Sequence, residues 1–156
     1  ITGMAWTEDV LRVRVSGSLE ALNDAKRRLS PSEVTTDLQY WKNLRDYSLP
    51  AMRPRENLSL WRIALARASD GPDEKIAWSD WGGSQRWVWA EAGGGDAMRD
   101  FCAENGGHAT CFYRGANESS SVFTGPLPLV KNLMIRLKNG FDDRQIFNPR
   151  EYFDWM

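Results

Sequence analysis

Apolar and charged residues alternate near the start of the chain. Between positions 9 and 15, Leu11, Val13 and Val15 alternate with Arg12 and Arg14. A period of two predicts a β-strand whose apolar side chains face one way and whose arginines face the other. The segment therefore predicts a strand that buries its apolar face and exposes both arginines.

Four segments carry the spacing of amphipathic helices. Ser18 can cap the first, which has leucines on one side at positions 19, 22 and 29. The second covers 37–47, the third begins at Asp96, and the fourth begins at Pro126 or Pro128 and stops at Gly140. We expect the last helix to bury an apolar stripe formed by Val130, Leu133, Met134 and Leu137.

Short apolar runs predict four more strands, over 58–66, 76–81, 84–90 and 108–113. Gly82 and Gly83 are typical of a hairpin turn, and a polar turn is expected at 68–74. The order of elements predicts an α+β, ferredoxin-like fold, an antiparallel sheet with helices on one face. No Gly-rich phosphate fingerprint follows a strand, which argues against a dinucleotide-binding unit.

Length and charge narrow the classes of protein. The 156 residues predict a single domain over 1–156, and a formal net charge of -1 provides no electrostatic basis for binding nucleic acid. Two cysteines do not make a disulfide framework, so a cytoplasmic protein is expected. The chain begins with Ile1, which suggests that the natural protein continues upstream.

His108 is the only histidine, and it lies between two cysteines. The spacing of Cys102, His108 and Cys111 matches no common zinc pattern and a fourth ligand is missing, so no metal site is expected. Gly106 and Gly107 precede the histidine and let the backbone come close to a ligand. From the residues alone, a functional role and a purely structural role of His108 are equally well supported.

Three arginines lie in or beside apolar strands: Arg62, Arg86 and Arg114. Each could stack on a tryptophan as a cation–π partner. Each could equally bind a carboxylate, because a guanidinium offers a bidentate pair of donors. Stacking is the simpler interpretation for any one of them taken singly.

Four of the eight tryptophans lie in one hairpin segment: Trp78, Trp81, Trp87 and Trp89. Exposed rings would form a stacking platform for sugars, as in a carbohydrate-binding module. Tryptophans that share a strand face are more often cross-strand packing partners. The two interpretations differ in whether the rings are exposed.

Several segments, taken in order, resemble one protein family. They are Leu11-Arg12-Val13-Arg14-Val15-Ser16-Gly17, Leu60-Trp61-Arg62-Ile63, Trp81-Gly82-Gly83-Ser84-Gln85-Arg86-Trp87, Gly106-Gly107-His108-Ala109-Thr110, and Arg136-Leu137-Lys138 to Phe141-Asp142 with Ile146-Phe147-Asn148-Pro149-Arg150. The chain is thereby similar to the C-terminal half of the FAD-binding subunit of bacterial glycolate oxidase. That subunit is an FAD-linked oxidase of the vanillyl-alcohol oxidase type.

The resemblance implies a cap domain of a flavin-dependent 2-hydroxy-acid oxidoreductase. It implies that an upstream domain holds most of the FAD, and that the fragment alone is inactive. It also implies partners, namely a catalytic flavoprotein homologue and an iron–sulfur subunit, with the complex either cytoplasmic or peripheral at the inner membrane. The substrate implied is a small 2-hydroxy acid, glycolate, which is oxidised to glyoxylate.

The resemblance also suggests roles for single residues. His108 would be the catalytic base, although relatives carry Gly-Glu-His-Gly where this chain has Gly-Gly-His-Ala. Asn148 would lie near the flavin, while Arg62, Arg86 and Arg114 are the candidates for binding the substrate carboxylate. This subunit could instead support a catalytic partner, and a Trp-rich carbohydrate- or ligand-binding module remains the alternative.

Overall fold

The computed structural model describes residues 1–66, 76–153 and 155. Six strands form one sheet in the order β2-β1-β4-β5-β3-β6, and every neighbouring pair is antiparallel. The strands are β1 (Gly3–Thr7), β2 (Val10–Arg14), β3 (Ser59–Ala64), β4 (Ile76–Asp80), β5 (Gln85–Ala90) and β6 (His108–Tyr113). Strand β1 was not predicted, because its five residues show no alternation of apolar and charged side chains.

Four α-helices accompany the sheet: α1 (Leu19–Leu29), α2 (Gln39–Arg45), α3 (Gly95–Glu104) and α4 (Pro128–Phe141). Two 3₁₀ turns lie at Pro50–Met52 and Trp81–Gly83. The predicted α+β class with an antiparallel sheet is confirmed, as is the cap of α1, where the Ser18 side chain accepts a hydrogen bond from the Ala21 N–H. The polar turn expected at 68–74 lies outside the described residues.

One part of the sheet has the connectivity of a split β-α-β unit. Strands β5 and β6 run parallel to each other, with β3 antiparallel between them, and α3 links the two. This is one half of the predicted ferredoxin-like arrangement. The other connection, from β2 through α1 and α2 to β3, crosses three strands of the sheet.

Helices cover both faces of the sheet, although we expected them on one. On the face that we call the α3 face, Met98 and Cys102 of α3 pack on a buried cluster: Trp61, Ile63, Leu65, Val88, Ala90, Ala109 and Cys111. The physical reason is that β3 and β5 are apolar on both sides, so each side needs a covering element.

The opposite face, which we call the α2 face, holds a second core. Its buried members are Leu49, Met52, Leu60, Trp78, Trp87 and Trp89, and Tyr40 and Leu44 of α2 pack against them. The rings of Trp78 and Trp87 are stacked, with centroids 4.7 Å apart. The Trp89 ring N–H donates to the Ala51 carbonyl at 2.9 Å, which ties the 3₁₀ turn to the sheet.

Two predicted apolar faces are not buried. In β2, Leu11 is 59% exposed, because α3 covers β3 and β6 at the other edge of the sheet. Arg12, which we expected to face solvent, instead lies on the α2 face with its guanidinium 4.3 Å from the centre of the Tyr40 ring. In α4, Leu133 is 54% and Leu137 50% exposed, so the expected core stripe lies at the surface.

None of the helices in the described part of the chain is long and apolar enough to cross a membrane.

Candidate functional site: the His108 cleft

An open cleft of about 410 Å³ lies beside the edge strand β6. Its walls come from β6, the segment that follows it, α4 and the C-terminal tail, and its lining residues are His108, Thr110, Phe123, Thr124, Met134, Tyr152 and Phe153. Most of the lining is apolar or aromatic. Among the described residues that line it, the titratable groups are the imidazole of His108 and the phenol of Tyr152, so the cleft combines an apolar wall with a candidate base.

The glycines before His108 determine where it lies. Gly106 adopts the left-handed conformation (φ 66°) and ends α3, and the Gly107 N–H donates to the Cys102 carbonyl at 2.7 Å. A Cβ at position 107 would approach the Ala64 carbonyl oxygen to 2.2 Å. Only glycine allows the chain to turn from α3 directly into β6, which leaves the His108 side chain exposed at the mouth of the cleft.

A clamp holds the outer edge of β6 beside the cleft. The Thr124 hydroxyl accepts a hydrogen bond from the Ala109 N–H at 3.0 Å and donates to the Ala109 carbonyl at 2.8 Å. The Cys111 N–H donates to the Val122 carbonyl at 2.8 Å. Because these bonds satisfy the backbone groups of the edge strand, the apolar wall at Phe123 is fixed against β6.

A row of six residues, one from each strand, crosses the α2 face and ends at His108. The row, read from β2 to β6, is Arg12, Ala5, Asp80, Gln85, Ala64 and His108. Paired residues in antiparallel strands point to the same face, so the four polar side chains share one side of the sheet. Arg62 lies on the same face, two residues before Ala64 on β3, and it pairs with Thr110 of β6.

Asp80 provides the carboxyl group of this row, and the pKa of that group is raised. Burial raises its pKa to about 6, and a hydrogen bond with Gln85 and the charge of Arg62 partly oppose that rise. Among the described residues, Asp80 Oδ1 and Arg62 Nε find no hydrogen-bond partner. The α2 face therefore carries polar groups whose hydrogen-bonding capacity is incompletely used.

Arg62 lies on the same face of the sheet as His108 and on the neighbouring strand, but it does not line the cleft, and the other two arginines lie elsewhere. Arg86 pairs with Ile63 and therefore lies on the α3 face, where its Nε donates to the Gly83 carbonyl at 3.1 Å. Arg114 follows the far end of β6, about 20 Å from His108 at roughly 3.3 Å per residue, and donates to the Ser120 carbonyl at 3.0 Å.

Asn148 lies in an exposed loop after α4 and does not line the cleft. Asp142 organises this loop, because its carboxylate accepts the N–H groups of Ile146 (2.8 Å) and Phe147 (3.0 Å) and pairs with Lys138 at 2.6 Å. The bond from Lys138 holds the pKa of Asp142 below its usual range. Asn148 itself has a left-handed backbone, with φ 44°.

The two cysteines are buried thiols on the α3 face. Burial raises the pKa of Cys102 to about 11 and raises the pKa of Cys111. Such thiols are poor nucleophiles near neutral pH. In the part of the chain that the structure describes, no three His, Cys, Asp or Glu side chains are grouped so that they could hold a metal ion.

The tryptophan-rich hairpin packs inside the protein. Trp78, Trp87 and Trp89 are at most 7% exposed, and only Trp81 of this segment is exposed, at 71%. A single exposed ring does not make the platform that the carbohydrate-binding alternative requires. The segment is the structural hairpin of the other interpretation.

Sequence reasoning did not identify Phe123 and Tyr152 as residues of the cleft, or Asp80 as a residue of the row that ends at His108. Asp80 is visible only through the strand register, since it is separated from His108 by 28 positions. Phe123 and Tyr152 come from irregular segments whose course no periodicity reports. A charged residue inside the otherwise apolar segment 76–81 was the one available signal for Asp80.

Comparison with known proteins identifies no relative. The chain matches no protein-family model, no curated protein and no solved structure.

Proposed function

We propose that this chain is the cap domain of an FAD-dependent oxidase of small 2-hydroxy acids, acting on glycolate within a multisubunit complex. The observation that carries the proposal is the single imidazole at the mouth of an open, mainly apolar cleft. The α+β fold with an antiparallel sheet is compatible with such a domain. The other support is the resemblance of the sequence motifs.

FAD is the cofactor that the proposal requires, and the cleft fits only part of it. Flat aromatic and apolar walls at Phe123, Tyr152 and Phe153 suit a planar ring system. The described residues that line it include no lysine or arginine for a diphosphate, which an upstream domain would have to bind. When bound, FAD would supply the acceptor for the hydride that leaves the substrate carbon.

Two residues of this chain would act on the substrate. His108 is exposed in the cleft, where its neutral imidazole would accept the hydroxyl proton. Arg62 lies on the same face of the sheet, and its guanidinium would orient the carboxylate. Arg86 and Arg114 are placed less favourably for this role, because one lies on the opposite face and the other at the far end of β6.

The exposed face of α4 supports the proposed contact with further domains or subunits. Leu129 is 82% and Phe141 87% exposed, in addition to Leu133 and Leu137. Contiguous apolar surface of this kind is typical of an interaction site. An upstream flavin domain, the catalytic flavoprotein homologue or the iron–sulfur subunit would cover it.

The test compares this chain with a longer natural version that includes the upstream region. We expect flavin absorption bands only in the longer protein, together with glycolate-dependent bleaching of those bands. In the longer protein, His108→Gln should slow bleaching at least a hundredfold while the flavin content stays unchanged. A longer protein that contains no flavin would contradict the proposal.

A matched pair of arginine variants separates the substrate site from general effects of charge. Arg62→Lys should raise the glycolate KM at least tenfold, whereas Arg86→Lys on the opposite face should leave it within twofold. Equal effects of the two substitutions would show that Arg62 does not bind the carboxylate.

A further inference from the structure

A second, smaller cleft of about 190 Å³ lies on the α2 face at the other edge of the sheet. It is bounded by the β1–β2 hairpin, by α2 and by the 3₁₀ turn at Pro50–Met52. Arg12, Tyr40, Thr7 and Glu8 provide its polar lining. At about 30 Å³ per water molecule, the cleft has room for roughly six waters or one small organic ion.

Arg12 is the one cation among the described residues that line this cleft. Its guanidinium stacks over the ring of Tyr40, with 4.3 Å between the guanidinium carbon and the ring centre. Within the described residues it forms no ion pair, and its buried Nη1 has no hydrogen-bond partner. A half-buried guanidinium without an acceptor is costly unless a ligand or water supplies one.

A further hydrogen-bond donor lies beside this guanidinium. The hydroxyl groups of Tyr40 and Thr7 are 2.6 Å apart, so one donates to the other. The accepting hydroxyl keeps its own proton, which it can donate to a ligand. Arg12 and this hydroxyl pair together offer charge and directed donors to a planar, bidentate acceptor.

We propose that this cleft binds a small carboxylate, with Arg12 as its principal ligand-binding residue. A carboxylate matches the planar pair of donors on the guanidinium, and the volume admits a molecule of two to four carbons at roughly 20–30 Å³ per heavy atom. Glu8 also lines the cleft and disfavours ions with two negative charges, so the preferred ligand is a monoanion rather than phosphate.

This site is separate from the His108 cleft and does not depend on the proposed oxidase function. Arg12 and His108 occupy opposite ends of the row that crosses the sheet, five strand spacings apart, which is about 24 Å. The two sites can therefore be tested independently on the same chain.

The experiment is a titration of the ¹⁵N-labelled chain with acetate at constant ionic strength, followed by NMR. We expect saturable shifts at the amides of Thr7 and Tyr40 and at the Arg12 side-chain Nε. Arg12→Gln should weaken binding at least tenfold. Arg14→Gln is the matched control, because Arg14 lies on the same strand and stacks on Trp41 at 5.2 Å, outside the cleft. The affinity of this variant for acetate should stay within twofold of that of the unsubstituted chain.

A second variant keeps the test decisive if Arg12→Gln does not fold. Arg12→Lys preserves the charge but loses the bidentate pair of donors, and we expect it to bind acetate about tenfold more weakly. Wild-type affinity in this variant would overturn the proposal, as would an equal loss in Arg14→Gln. Saturable binding of inorganic phosphate without binding of acetate would also overturn it.

Discussion

The two faces of the sheet are covered by one helix each, yet they differ in chemistry. The α3 face is a mainly apolar core, in which Ile63, Val88, Ala109 and Cys102 are at most 1% exposed, although the buried Arg86 also lies on it. The α2 face combines a tryptophan core with polar side chains on four strands: Arg12, Arg62, Asp80 and His108.

This difference separates the part of the molecule that stabilises the fold from the part that can bind and react. Burying apolar side chains without polar groups gives the largest gain in stability per residue. Half-buried charges and unpartnered donors on the α2 face reduce stability, and they are the groups that ligands use. Both candidate clefts contain residues of the α2 face, His108 in one and Arg12 in the other.

The largest change in the free energy of unfolding is expected on the α3 face, if that face is the main source of stability. Ile63→Ala should lower the free energy of unfolding by about 3–4 kcal/mol, because the side chain is completely buried and its neighbours cannot fill the space. Urea denaturation followed by circular dichroism measures the change. Leu11→Ala, at a position that is 59% exposed, is the control and should change stability by less than about 0.5 kcal/mol.

On the α2 face we expect a smaller effect of opposite sign, in which a substitution raises the free energy of unfolding. The pKa of Asp80 is about 6 in the folded chain and 3.8 ordinarily, so the folded state resists its ionisation. The resulting loss of stability is absent below pH 3.8, grows between pH 3.8 and 6, and is complete above pH 6. A shift of this size corresponds to about 3 kcal/mol, which solvent screening of a half-buried group reduces to about 1–2 kcal/mol.

Asp80→Asn should therefore stabilise the chain at pH 8 and leave its stability at pH 4 nearly unchanged. Thermal unfolding at the two pH values measures the difference. An equal change at both pH values would mean that the substitution acts through packing and not through the charge.

The smallest effect is expected where an apolar side chain is more than half exposed. Leu133→Ser in α4 should change the free energy of unfolding by less than about 0.5 kcal/mol, since the leucine is 54% exposed. It should also reduce binding of a hydrophobic dye to the folded chain. Met98→Ser in α3 is the contrasting variant, because Met98 is 1% exposed and its loss should cost several kcal/mol, on the order of 3 kcal/mol.

Local chemistry in the sequence determined most of the elements. The short apolar run at 108–113 predicted β6 with the bounds that the structure has, and Ser18 predicted the start of α1. The apolar periodicity and the Gly-Gly pairs were also sufficient for the α+β class and the hairpin. These features depend on neighbours in sequence, which is why a sequence pattern reports them.

Only the tertiary structure decided which faces are covered. The stripes of α3 and α4 have similar periodicity, yet Met98 and Cys102 are buried whereas Leu133 and Leu137 are exposed. Arg12 was expected in solvent and lies against Tyr40 because α2 packs over that end of the sheet. The register that aligns Arg12, Asp80 and His108 joins residues up to 96 positions apart. Such long-range pairing depends on the arrangement of the whole sheet, and no local pattern encodes it.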